Sequence, residues 1–189
     1  MLLQEAQQTV DAVFALYEKY GRADYIGEPV SQLEHMCQAA QLAEQEGCSE
    51  EVILAAFFHD IGHLCEMEDK ASMGGYGVQD HEKWGGIYLQ QHGFSETLIR
   101  LVGSHVAAKR YLTFKYPEYY AQLSDASKQT LAFQGGPMTA TEAAAFEADP
   151  LFADMVRLRT WDDQAKATGQ PLPDLQRYRQ MALQHLIAR

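Results

Sequence analysis

Apolar residues along this chain recur at helical intervals rather than in alternation. Leu3, Val10, Val13, Phe14 and Tyr17 share one face of a segment over residues 2–19, and Gly21 in YGRADYIGE stops it. Ser31 and Glu34 predict a capping box for SQLEHMCQAAQLAEQEG, closed by Gly47, and Ser49 caps SEEVILAAFFHD, apolar enough to be a buried helix. Residues 66–80, EMEDKASMGGYGVQD, read as a surface or lid-like loop. Helix resumes from about His81 to Gln91, breaks at HGF, restarts after Ser95 and runs to about Tyr111. Pro117 places a turn in YLTFKYPEYYAQLS, and short helices follow from Ser124 to Phe133. After QGGPM, Thr139 and Glu142 form another capping box. Asp149-Pro150 opens a helix from Leu151 to about Ala167, and TGQPLPD separates it from a last helix to Arg189. The sequence carries no convincing strand pattern, internal repeat, P-loop or dinucleotide-binding glycine fingerprint. The expected fold class is all-α, a helical bundle.

Length and charge narrow the picture. A chain of 189 residues, 47% hydrophobic and 22% charged, suits one packed domain over residues 1–189. The net charge of -11, from 26 acidic and 15 basic residues, disfavours nucleic acid as a partner, but a locally positive pocket for a small anion stays compatible with it. Cys37, Cys48 and Cys65 are odd in number and lack CxxC spacing, so they read as reduced thiols. The start, MLLQEAQQTVDAVF, is not a signal peptide and no stretch is long enough to span a bilayer, so a cytoplasmic location without membrane attachment is expected.

The polar residues set within apolar helices carry the chemistry: His35, His59, Asp60, His81, His105 and Asp162. Scattered over several elements, each would need its own buried partner, whereas one shared metal site satisfies all of them. Imidazoles and carboxylates on several helices suit non-haem iron or manganese; structural zinc favours thiolates. Asp60 has two oxygens to offer two metals, leaving His35, His59 and Asp162 for one and His81 and His105 for the other, which would stay open to substrate. His63, four residues after His59, is either a pocket residue or a helix cap. Lys109 lies four residues after His105 and Arg159 three before Asp162, close enough on a helix to meet a bound anion; Arg110 reads as a solvated helix end, Arg157 and Trp161 as less directed, and His92 and His185 as locally structural.

The order H…HD…H…H…D resembles the HD-domain superfamily, whose members are mostly phosphohydrolases. DYIGEPVSQLEH, LAAFFHDIGH, MGGYGVQDHEKWG, HVAAKRYL, LSDASKQTLAFQGGPM and RTWDDQAKATG together resemble its oxygen-dependent, hydroxyphosphonate-cleaving branch, relatives of the inositol oxygenases. The resemblance runs from about Asp24 to the last helix. It implies an HD-domain helical bundle holding two iron ions, a mixed-valent Fe2+/Fe3+ pair, with O2 as co-substrate. One iron would take His35, His59, Asp60 and Asp162, the other His81, His105 and the second oxygen of Asp60. Asp162 is preferred to Asp163 on this ground, and Asp163 is left as a solvated carboxylate.

The resemblance also implies that Tyr25, held by Glu28, fills the open site until substrate displaces it. Gly27 permits the reversal between those two residues, and a packed loop aromatic is the plain alternative for Tyr25. His63, Lys109, Ser127 and Arg159 would contact substrate. The expected partner is a small hydroxyphosphonate, 2-amino-1-hydroxyethylphosphonate or its trimethylammonio analogue, met by a monomer or weak homo-oligomer. The products would be phosphate and glycine or glycine betaine. Aromatic residues Phe57, Phe58, Phe114, Tyr116, Tyr119 and Tyr120 tip the expectation slightly toward the trimethylammonio compound, unless they are simply core. An HD-type phosphohydrolase, an inositol-type polyol oxygenase and a metal-stabilised scaffold are the alternatives.

Overall fold

A computed structural model describes residues 1–25, 27–65 and 71–188. Among them the chain forms α1 (Leu3–Tyr20), α2 (Gln32–Gln45), α3 (Glu50–Phe58), a 3-10 turn (Ile61–His63), α4 (His81–Gln91), α5 (Glu96–Val102), α6 (His105–Lys115), α7 (Pro117–Gln122), α8 (Asp125–Phe133), α9 (Ala140–Glu147), α10 (Phe152–Gln164) and α11 (Leu175–Ile187). Two isolated bridges, Asp24 with Ser31 and Ser72 with Val78, are the β pairing among these residues. The all-α bundle expected from the periodicity is what forms.

Helix α3 is the centre because no side of it wants water: every residue from Val52 to Phe58 is buried. It packs against α2, α5, α10 and α11, while α11 also covers α1. Phe57 stacks between Tyr17 and Tyr178, at centroid distances of 4.7 and 4.6 Å, and Phe58 meets Phe94 edge-on. Tyr17 donates its hydroxyl to the carbonyl of Phe57, which satisfies a polar tip inside an apolar layer. Phe57 and Phe58 are therefore core. Both predicted capping boxes form: the hydroxyl of Ser31 and carboxylate of Glu34 close on each other's backbone N–H, as do those of Thr139 and Glu142.

Three of the boundaries that differ from the sequence expectation bear on the polar residues. Helix α3 stops at Phe58, so His59 and Asp60 lie in the turn that leads into Ile61–His63. The single helix expected from Ser95 to Tyr111 is two, α5 and α6, broken at Gly103–Ser104. The Gly103 N–H reaches Ile99 O at 2.9 Å and the Ser104 hydroxyl donates to Leu101 O at 2.6 Å, so the last carbonyls of α5 are taken and a new helix starts at His105. Helix α10 ends at Gln164 rather than near Ala167.

Gly62 lets these pieces come together. A Cβ there would lie 1.9 Å from the carbonyl oxygen of His81, so only glycine lets α4 start against the 3-10 turn. Residues 66–70 of the expected lid-like loop lie outside the described residues. The rest turns back through the Ser72–Val78 bridge, with Met73 buried beneath.

Candidate metal centre

Three of the four central histidines sit where a helix begins or ends. His59 follows the last residue of α3, and His81 and His105 are the first residues of α4 and α6. Each turns its Nδ1 back to the carbonyl three residues earlier: Ala56 at 2.8 Å, Val78 at 3.1 Å and Val102 at 2.9 Å. Within α2, His35 sends its Nδ1 to Ala165 O at 2.9 Å, just past the end of α10. Nδ1 is thus committed to a carbonyl in all four rings, and in its neutral form each ring presents a lone pair at Nε2.

The lone pairs converge in two places. His35 Nε2 lies 3.0 Å from His59 Nε2, and His81 Nε2 lies 2.9 Å from His105 Nε2. Acceptors facing at that distance repel unless a cation joins them. Two nitrogens bound to one ion at about 2.1 Å can stand about 3.0 Å apart, so each facing pair would fit a shared metal ion. Asp162 Oδ1 completes the first group at 3.3 Å from His35 Nε2. Asp60 stands between the groups: Oδ2 is 3.5 Å from both His35 and His59, and Oδ1 is 3.2 Å from His81 and 3.4 Å from His105. Oδ2 is also buried with no hydrogen-bond donor. An orphaned carboxylate oxygen between paired imidazoles fits a pair of metal ions.

Burial and neighbouring charges pull these groups in different directions: burial lowers His59, whereas His35 is raised against its burial by Asp162 and Asp60, and His81 by Asp60. Burial opposes ionisation of Asp60, yet the imidazoles of His59, His81 and His63 hold its carboxyl well below the usual range. Burial and His81 push His63 well down, so that ring is neutral. Burial acts the same way on His105, lowered to about 3. Asp162 is held far down, against its burial, by the Arg159 guanidinium at 2.6 Å.

A pocket of about 50 Å3 opens over this centre, walled by Tyr25, Glu28, Asp60, His63, Lys109, Ser127, Arg159 and Asp162 together with Met73, Tyr76, Thr130 and Gln134. Lys109 is buried, not solvated, and donates to Thr130 Oγ1 at 2.9 Å; burial, and then Arg159, push its pKa down to about 7. His63 stacks on His81 at 4.0 Å and accepts the Val78 N–H at Nδ1, so its Nε2 carries the proton as a donor. Ser127 sits one turn into α8, with Ala126 against Gly27. Tyr25 stacks on His35 at 4.0 Å, and burial, with Asp60 and Asp162, raises its phenol well above its ordinary value. Gly27 does take a positive φ, 82°.

Several expectations change on contact with the fold. Asp163 is no solvated carboxylate: with Tyr119 it holds the Arg159 guanidinium from the side away from Asp162. Glu28 Oε1 accepts from Ser124 at 2.6 Å and Lys166 at 2.7 Å, two partners that sequence reading missed. Arg110 is a strut to Gly136 O and Glu142, and Arg157 and Trp161 both bind Glu46. Finally, none of the six aromatics invoked for a trimethylammonio group lines the pocket; Phe114, Tyr116 and Tyr120 are exposed. Asp163 was within reach, four residues after Arg159 on one helix, whereas nothing in the sequence links Tyr119 to Arg159. His92 and His185 keep local roles, on Tyr88 O and the Ser95 N–H.

The HD domain matches residues 33–151, from the helix bearing His35 through His59-Asp60, His81 and His105. The chain belongs to the HD-domain family. This HD-domain protein is also related to hydroxyphosphonate dioxygenases. It is 40% identical over 165 residues to [1-hydroxy-2-(trimethylamino)ethyl]phosphonate dioxygenase (glycine-betaine-forming) of Leisingera caerulea, covering 87% of this chain and 84% of that one. It is 39% identical over 173 residues to hydroxymethylphosphonate dioxygenase of Gimesia maris, covering 90% and 85% respectively. An uncharacterised protein of Acanthamoeba polyphaga mimivirus is 45% identical over 185 residues, 97% of this chain and 84% of that one. No helix among the described residues is long and apolar enough to cross a membrane.

Proposed function

We propose that this HD-domain protein is a dioxygenase that cleaves the carbon–phosphorus bond of a 1-hydroxyphosphonate at a mixed-valent pair of iron ions. The observation that carries the reading is Asp60, with one oxygen turned to each pair of imidazoles beneath a pocket walled by buried cations. The names of two relatives support it. The overall change, R–CH(OH)–PO3(2−) plus O2 giving R–COO−, HPO4(2−) and H+, puts both oxygen atoms into product and needs no other reductant.

His35, His59, Asp162 and Asp60 would hold one iron, and His81, His105 and Asp60 the other. The irons would bind dioxygen and the substrate hydroxyl and supply the redox steps. The chain's side chains do the rest. Protonated Lys109 and the Arg159 guanidinium face a phosphonate with directed donors, with the His63 Nε2–H and Ser127 as further contacts. Tyr119 and Asp163 keep the guanidinium in place, so its direction is set before substrate arrives. Tyr25 covers the centre, and its displacement by substrate would tie oxygen chemistry to occupancy.

For the group at C2, a trimethylammonio or amino substituent would lie against Tyr25, Tyr76 and the Glu28 carboxylate, giving glycine betaine or glycine. The small cavity without an aromatic cage favours a second reading, hydroxymethylphosphonate, which would yield formate. Competition among the three compounds, following glycine betaine, glycine and formate separately, distinguishes them. Oxygen uptake equal to phosphate release is expected; phosphate release with no oxygen consumed would mean a hydrolase and overturn the proposal.

A further inference from the structure

Past the end of α10, three consecutive residues make contacts that bear on the centre. The carbonyl of Ala165 accepts from His35 Nδ1 and so sets the direction of that ring. The carbonyl and N–H of Ala167 pair with the Gln38 side chain on α2, one turn beyond His35. Between them, the Lys166 ammonium reaches the carboxylate of Glu28 at 2.7 Å, and Glu28 also takes the hydroxyl of Ser124, the N-cap of α8. The Lys166 and Glu28 side chains are mostly covered, at 16% and 8% exposure, so this pair is less screened than the exposed ion pairs elsewhere on the molecule. Tyr25, three residues before Glu28, stacks on the His35 ring. One loop thus meets the same chain segment twice: Tyr25 through the His35 ring, and Glu28 through Lys166.

We propose that Lys166 is a positioning residue that latches the Tyr25–Glu28 loop over the centre in the substrate-free protein. Lys166 follows the end of the helix that delivers Asp162 by two residues, so the metal-binding framework and the cover are joined by a short stretch of chain. Ser124 brings α8, with Ser127 and Thr130 of the pocket wall, into the same knot. Release of Glu28 from Lys166 then accompanies displacement of Tyr25, and the strength of the pair sets how readily the loop opens.

The test is hydrogen exchange on Lys166→Met, Lys166→Arg and wild-type protein. The Tyr25, Glu28 and Gln32 amides, bonded to Val30, Tyr25 and Ala23 carbonyls, report the loop. With a charge-assisted bond lost, they are expected to exchange about tenfold faster in Lys166→Met, while amides of α3 keep their protection and Lys166→Arg restores the loop. In a Glu28→Gln background the same substitution should add little. Unchanged loop exchange, or a rise shared equally by α3, would assign Lys166 to general stability and overturn the proposal.

A second readout rests on the function proposed above: in Lys166→Met the KM for the preferred hydroxyphosphonate should fall with kcat nearly unchanged, because substrate no longer competes with a latched loop. An equal loss of kcat and kcat/KM would contradict the latch. A wild-type protein inert toward every 1-hydroxyphosphonate, but with the loop loosened by Lys166→Met, would sink the function and leave the latch standing.

Discussion

The two imidazole pairs are built alike and finished differently. In both, each Nδ1 is spent on a backbone carbonyl and the Nε2 atoms face each other at about 3 Å. The His35–His59 pair is closed: Asp162 joins it, Arg159 pins Asp162, and Tyr25 lies across His35. Among the described residues, Asp60 is the carboxylate that faces the Nε2 atoms of the His81–His105 pair, and both rings line the pocket. The difference suits one ion held for structure and charge and one left open to a ligand. Asp60 is the shared part, so breaking it should abolish the distinction.

The largest effect is therefore expected from Asp60→Ala: metal analysis should show both ions lost together and activity at background, and retention of two ions at full occupancy would contradict a bridge. Next come the two sides separately. Asp162→Ala should lose the closed site and also leave the buried Arg159 with Asp163 as its remaining carboxylate, costing roughly 3 kcal/mol in denaturant unfolding. His105→Ala should lose the open site with a smaller change in stability, since the removed ring faces a pocket. If both substitutions cost the same stability, the two sites are not the closed and open pair described here. Gly62→Ala tests the scaffold that brings them together. Its Cβ would collide with the carbonyl of His81, so a loss of about 1–3 kcal/mol and weaker metal binding on the His81 side are expected.

Lys109 gives the pH dependence. Its pKa is pushed down to about 7 by burial, so it is cationic below that pH and neutral above it. Phosphonate binding should weaken as pH rises through about 7, read as a rising KM. Lys109→Met should lose this dependence and show whatever remains from the titration of the substrate itself. The smallest effect is expected from Tyr119→Phe, which removes one hydroxyl from Arg159 while leaving Asp163: about 1 kcal/mol in transition-state stabilisation, measured as kcat/KM.

The expected ligands were legible because His35, His59 and Asp60 interrupt apolar helical sequence, where a polar side chain demands a partner, and the order of the remaining histidines and Asp162 completes the set. His35, His59, Asp60, His81, His105 and Asp162 all come together, and Lys109 and Arg159 reach the pocket as their helical spacing to His105 and Asp162 suggested. The aromatic argument about C2 failed for a related reason. Phe57 and Phe58 belong to a helix apolar on all sides, which sends them into the core, while periodicity cannot say which way the exposed Tyr116 and Tyr120 turn relative to a pocket.

By itself the sequence determined most of the helices, the Ser31 and Thr139 caps, the polar residues that must share a site, and the reversal at Gly27, since these depend on spacing along one chain. The tertiary structure alone decided that His59, His81 and His105 stand at helix ends with their Nδ1 atoms committed, that Asp60 turns an oxygen to each pair, and that Lys166 holds Glu28. Those contacts join residues from separate helices and loops. No periodicity encodes them, because they arise only when packing around α3 brings those elements to one place.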